Sequence, residues 1–250
     1  MKTTYILKWI VGLTMFGVLV FVGALYLLAS RVPSGYRPEM LDSRQRVDVA
    51  KRFAKKTLEE FGNQAQSPEP FSMVFTEREI NEYLASLDEI AAQAPDGKPG
   101  EVTRLMGKAG ISQPMISIRD EGFILMTRLE EHQKILSIDL DVDTDDQNRL
   151  CITLTGARLG ELPVPLSMVE GRLDGLQQSL SRRARNVEYG QGLTMEHIGA
   201  GAAQLAGSIG NEPISLDLPI RVNGRGVRVM NLGISQGKVV VAFQPHEIDE

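Results

Sequence analysis

One cysteine in 250 residues excludes an internal disulfide. Cys151 stands in the strand-like "LCITLTGARL", where a buried, inert thiol is expected. Histidine is nearly as scarce. His132, His197 and His246 are scattered, with neither His-x-x-x-His nor Cys-x-x-Cys spacing, so a zinc site has little support. A basic surplus is missing as well. The first 29 residues hold two lysines and no acid, and the remainder carries 25 Lys and Arg against 32 Asp and Glu, a balance of −7. Such a surface is a poor partner for nucleic acid, which requires cations to displace its counterions.

The usual catalytic and cofactor signatures also fail. "GAGAAQ", from Gly199, lacks the third glycine of a dinucleotide fingerprint and does not follow a strand directly. "GISQG", Gly233 to Gly237, has the lettering of a nucleophile elbow. It falls between two strands, however, with only His246 and Asp249 after it, in the wrong order, so a glycine-rich hairpin explains it. Asp139, Asp141, Asp143, Asp145 and Asp146 suggest a calcium loop, but a register on Asp141 puts Asp146 where glycine belongs and Ile152 where glutamate belongs. No enzyme, cofactor or metal is expected.

What the chain does have is a long apolar run. Trp9 to Ala29 is 21 residues without a charge, enough to cross a bilayer as a helix, with Trp9 and Tyr26 near its ends. Leu27 stands where a cleavage site prefers a small residue, so the run reads as an uncleaved anchor, not a signal peptide. Lys2 and Lys8 precede it, and Arg31, Arg37, Arg44 and Arg46 follow it, so charge does not decide orientation. The short basic start favours an inside N-terminus and a C-terminal domain outside the cytoplasm. "RVPSGYRPE" reads as a linker. Residues 42–61 read as an amphipathic helix with Val47, Ala50, Phe53, Ala54, Leu58 and Phe61 on one face. Its cations either line a solvated face or meet anionic headgroups.

"FSMVFTEREINEYLASLDEI", Phe71 to Ile90, gathers five acids. Phe71, Met73 and Phe75 alternate as in a strand. Thr76 precedes Glu79 by three, the spacing of a capping box, with Phe75 and Ile80 at the staple positions and Glu77 at the positive end of the helix dipole. Ile80, Tyr83, Leu84, Leu87 and Ile90 form the expected buried stripe, and Glu82 and Glu89 fall outside it. These acids therefore read as helix builders, not as catalysts.

The period then changes to two. "KILSIDLDV" puts Leu136, Ile138, Leu140 and Val142 on one face and Ser137, Asp139, Asp141 and Asp143 on the other, and "RLCITLTGARL" returns beside it. Pro163 and Pro165 are expected to stop the sheet. Helices are expected through Val169, Leu173, Leu176 and Leu180, and after Thr194. "PISLDLPIRV", "VRVMNLGIS" and "VVVAFQP" form a second meander, and "HEIDE" a loose acidic tail.

The motifs "FTEREINEYL", "GFILMTRL", "ARLGELPVPLSMVEGRL" and "GKVVVAFQP" resemble the YpmS-like family of bacterial membrane-anchored proteins. The matching positions are Thr76, Glu79, Ile80 and Asn81, then Gly160, Leu162, Pro163 and Pro165. More remotely the layout is similar to TULIP-like and AsmA-like lipid-binding envelope domains. That resemblance implies a long curved antiparallel sheet wrapped around an apolar groove, and it brings no catalytic residues. The Gly/Ala-rich stretch 190–210 departs from the family pattern.

The expected fold is α+β: an N-terminal transmembrane helix, then one curved antiparallel sheet of six to eight strands on three or four helices. The expected divisions are an anchor at 1–30, a linker and amphipathic helix at 31–70, an extracytoplasmic domain at 71–245, and a tail at 246–250. The expected function is a membrane-tethered binding domain that takes a lipid or other apolar ligand. Leu136, Ile138, Leu140, Val142, Ile152 and Leu154 would line its groove. The alternative is a structural or regulatory interaction module of the cell envelope, with a protein partner.

Overall fold

The computed structural model describes residues 2–93, 99–120, 122–144, 149–166, 214–215, 220–222 and 225–246. The fold is α+β, but its strands form two sheets instead of one. The first sheet contains β1 (Phe71–Thr76), β10 (Lys238–His246), β9 (Arg225–Ser235) and β8 (Ile220–Val222), in that order and all antiparallel. The second contains β2 (Ile111–Arg119), β3 (Gly122–Leu129), β4 (Lys134–Thr144), β5 (Arg149–Leu159) and the two-residue β6 (Leu162–Pro163), with β7 (Ile214–Ser215) also on β5. The segment expected as a single strand from Pro213 to Val222 is thus shared, since β7 belongs to the second sheet and β8 to the first. Pro163 does not end the sheet at once. It occupies an edge strand, where a missing N–H is tolerated.

The helix α1 (Lys2–Ser30) is 29 residues long. Met15, Phe16, Leu19, Phe21 and Leu27 each expose more than 60% of their surface. Among the residues whose side chains are described, which begin at Met15, no helix is long and apolar enough to cross a membrane. The helix α2 (Ser43–Phe53) begins with a capping box between Asp42 and Gln45, then continues through a π-helix (Ala54–Glu60) into α3 (Phe61–Ala65). Val49, Ala50 and Phe61 are buried, whereas Val47, expected on the buried face, is exposed. The helices α4 (Glu77–Ala85), α5 (Leu87–Ala91) and α6 (Glu101–Lys108) follow β1.

Three apolar clusters hold these elements. Phe61, Met73, Val227 and Phe243 pack α3 on the first sheet, with Phe71 stacked on Phe243 at 5.2 Å between ring centroids. Val49, Ala50, Tyr83 and Ile90 join α2 to α4 and α5. Met115, Ile124, Met126 and Ile135 lie on one face of the second sheet beneath Tyr36. The helices expected near Leu166 and after Thr194, Asp145 and Asp146, and the tail beyond His246 lie outside the described residues. His246 itself is the last residue of β10, paired with Gly226, so the strand takes the first residue of the expected tail.

Candidate functional site

The acids between Phe71 and Ile90 are structural, and they do more than the sequence suggested. The Thr76 hydroxyl accepts from Glu79 N–H at 3.2 Å, and the Glu79 carboxylate accepts from Thr76 N–H at 3.4 Å, which completes the expected capping box. Glu79 also accepts from Lys56 Nζ at 2.7 Å and from the Tyr83 hydroxyl at 2.8 Å. Burial of the Tyr83 phenol, then its bond to Glu79, raises its pKa. Glu82 does not lie on an open face as expected. It is 8% exposed and binds Arg52 at 2.5 Å and Arg78 at 3.0 Å. Glu89 binds Arg46 at 2.6 Å. Arg46, Arg52 and Lys56 of the basic helix are therefore engaged by α4 and α5.

Glu77 and Asn81 close an edge. The Glu77 carboxylate accepts from Ile118 N–H at 2.6 Å. The Asn81 side chain donates to Ile116 O and accepts from Ile116 N–H, both at 2.8 Å. Gly237 N–H donates to Ile118 O at 3.3 Å, and Gly237 O accepts from Glu77 N–H at 2.8 Å. The outward backbone groups of Ile116 and Ile118 on edge strand β2 are thus paired, and the Gln236–Gly237 hairpin turn ties one sheet to the other. "GISQG" is this hairpin, as expected.

The six groove residues share one face of the second sheet, with Leu140 opposite Leu154 and Val142 opposite Ile152. Leu140 and Leu154 are buried. Val142 and Ile152 pack with Val229 and Leu232 of β9, so that end of the face is packing between sheets. Leu136 and Ile138 are half-buried, opposite Leu159 and Ala157.

The opposite face was expected to be wet, and it is so at Asp141 and Asp143, which are exposed, but not at Ser137 and Asp139. Ser137 is 1% exposed, and the Asp139 side chain is 16% exposed. In the segment after α1, Tyr36 packs against this face and donates from its hydroxyl to Gln113 O at 2.9 Å. Cys151, expected buried, is half-buried in β5. Beside the Pro33–Gly35 segment opens a cleft of about 760 Å³, walled by Ile124, Met126, Ser137, Arg119 and Arg158 and closed at one end by Gly160 and Glu161. No signal in the alternation pointed to it, because the covering segment comes from a distant part of the chain.

The end of α1 is fastened beside the cleft. Glu161 N–H donates to Leu28 O at 3.0 Å, a carbonyl that also accepts from Arg31 N–H at 3.3 Å. Arg31 pairs with Glu161 at 3.2 Å, and Lys134 Nζ lies 4.5 Å from the centroid of the Tyr26 ring. Gly160 has φ +61, and a Cβ there would come 2.6 Å from the carbonyl oxygens of Ala29 and Arg31. Conformation and close approach both demand glycine at this position. Thr76 and Glu79 thus cap α4, Asn81 pairs with the edge of β2, and Gly160 seats the end of α1. No family model, curated protein or solved structure matches the chain.

Proposed function

We propose that the protein is a membrane-tethered binding domain, displayed outside the cytoplasm, that holds a lipid or other apolar ligand beside the bilayer. The observation that carries this reading is α1. Its apolar side chains from Met15 to Leu27 are exposed except Leu25, which is half-buried, and within a few residues the helix is hydrogen-bonded to the rim of a cleft. An apolar helix so uncovered belongs in a membrane. Val32 and Met40, in the segment after it, are exposed too and suit the same interface. The acids of α4 are engaged by cations and backbone, which supports binding over catalysis. The resemblance to YpmS-like proteins agrees with this reading.

Full-length protein extracted from membranes in mild detergent is expected to carry lipid in near-stoichiometric amount, read by solvent extraction and mass spectrometry. Recovery in the soluble fraction after an alkaline wash, with no lipid attached, would overturn the proposal.

A further inference from the structure

The cleft beside Pro33–Gly35 has a polar wall and an apolar wall, and charges of both signs line it. Arg158 Nη2 lies 2.8 Å from Asp139 Oδ1, and Arg119 Nη1 lies 3.7 Å from the same oxygen. Two guanidinium groups share one carboxylate. Asp120, also at the cleft, accepts from Gln236 N–H at 3.0 Å and keeps its charge, and Glu161 pairs with Arg31. The Arg119 side chain stays 57% exposed. Opposite Arg158 in register, the buried Ser137 hydroxyl has no hydrogen-bond partner among the described residues. A buried hydroxyl left so is costly unless a ligand completes it. Ile124 and Met126 supply the apolar wall.

We propose that this cleft seats the phosphate of a phospholipid headgroup. Arg119 and Arg158 are its charged partners, and Ser137 is a further donor. Guanidinium forks match phosphate oxygens in geometry as well as in charge. The bilayer is the source, because the rim residues Pro33 to Gly35 stand only three to five positions beyond Ser30. Even fully extended chain spans no more than about 18 Å over that distance. Glycerol and the first acyl carbons would rest on Ile124 and Met126. The inference depends on the reading of α1 as a membrane anchor.

The test uses the full chain in detergent and native mass spectrometry with three probes: dioctanoyl phosphatidylglycerol, dioctanoylglycerol with the same tails and no phosphate, and inorganic phosphate. The wild-type chain is expected to prefer the phospholipid over dioctanoylglycerol by about tenfold or more, the size of one charge-assisted contact. Arg119→Gln alters an exposed arm with a long contact, so it is expected to fold normally and to lose most of that preference, leaving dioctanoylglycerol binding unchanged. Ser137→Ala is expected to keep the fold and lower phospholipid affinity severalfold. Equal affinity of the wild type for both lipids, or an unchanged preference in Arg119→Gln, would overturn the headgroup site and leave the lipid-holding reading standing. Binding of neither lipid would overturn both. Displacement of the phospholipid by micromolar inorganic phosphate would make the ligand a free phosphate and overturn the bilayer source.

Discussion

Glu79 faces three demands at once: the cap of α4, the Lys56 ammonium and the Tyr83 hydroxyl. Burial by itself would raise its carboxyl pKa. The hydrogen bonds from Lys56 and Tyr83, the Lys56 charge and the Thr76 N–H outweigh burial and lower it. A lowered folded pKa means that the stabilisation is fully present above the ordinary value of 4.5 and is lost as pH falls through the folded value. Thermal melts of the full chain in detergent, run downward from pH 6, are expected to fall less steeply in Glu79→Gln than in the wild type. An unchanged slope would show that the carboxylate is not coupled to folding. Thr76→Ala removes the reciprocal cap and is expected to cost about 0.5–2 kcal/mol by chemical denaturation. Glu82→Gln is expected to cost about 1 kcal/mol, not the negligible amount its position in the helical pattern suggests. It leaves Arg52 and Arg78 without a shared carboxylate, and their exposure to solvent keeps the loss modest. No loss in Glu82→Gln would mean that solvent replaces the pairs completely.

At the scale of elements, Asn81 and Gly160 act as joints. Asn81 stands where a neighbouring strand would otherwise pair with Ile116. Asn81→Ala is expected to cost about 1–3 kcal/mol, because two backbone groups lose their partners. Amide exchange at Ile116 should accelerate selectively, and unchanged protection there would refute the edge-closing role. Gly160→Ala puts a methyl into the carbonyls of Ala29 and Arg31. The expected result is a loosened junction: faster proteolysis within residues 31–35 and a broader distance distribution between spin labels on α1 and β4, while the domain still melts cooperatively. Much of this level was legible in the sequence. The capping box, the strand spacing and the 236–237 turn follow from local spacing. The buried polar row Asn81, Glu82 and Ser86 was not, because helical periodicity marks apolar side chains, and these positions are buried by what lies opposite.

At the scale of the whole molecule, the strongest consequence is orientation. Because α1 is hydrogen-bonded to the β5–β6 turn, the second sheet and its cleft keep a set position relative to the helix axis. A reporter active only outside the cytoplasm, fused after Glu250, is expected to be active with the anchor retained. Activity of a cytoplasm-only reporter at the same place would reverse the topology. Of the cations in the basic helix, Arg46, Arg52 and Lys56 are drawn to α5, α4 and the capping box, whereas Arg44, Lys51 and Lys55 are exposed.

By itself the sequence determined what depends on neighbours along the chain: a charge-free run long enough for a spanning helix, the cap at Thr76, the alternation of β4, the hairpin at Gly237, and the α+β class. Tertiary structure alone decided which face of β4 would be covered. Alternation distinguishes two faces, but it does not reveal that Tyr36 packs back against the polar one, where Ser137 is buried. It likewise decided that the strands divide into two sheets, because Glu77 and Asn81 pair with the free edge of β2 and no further strand can join there. Burial and edge pairing are properties of distant segments meeting, and no local period encodes them.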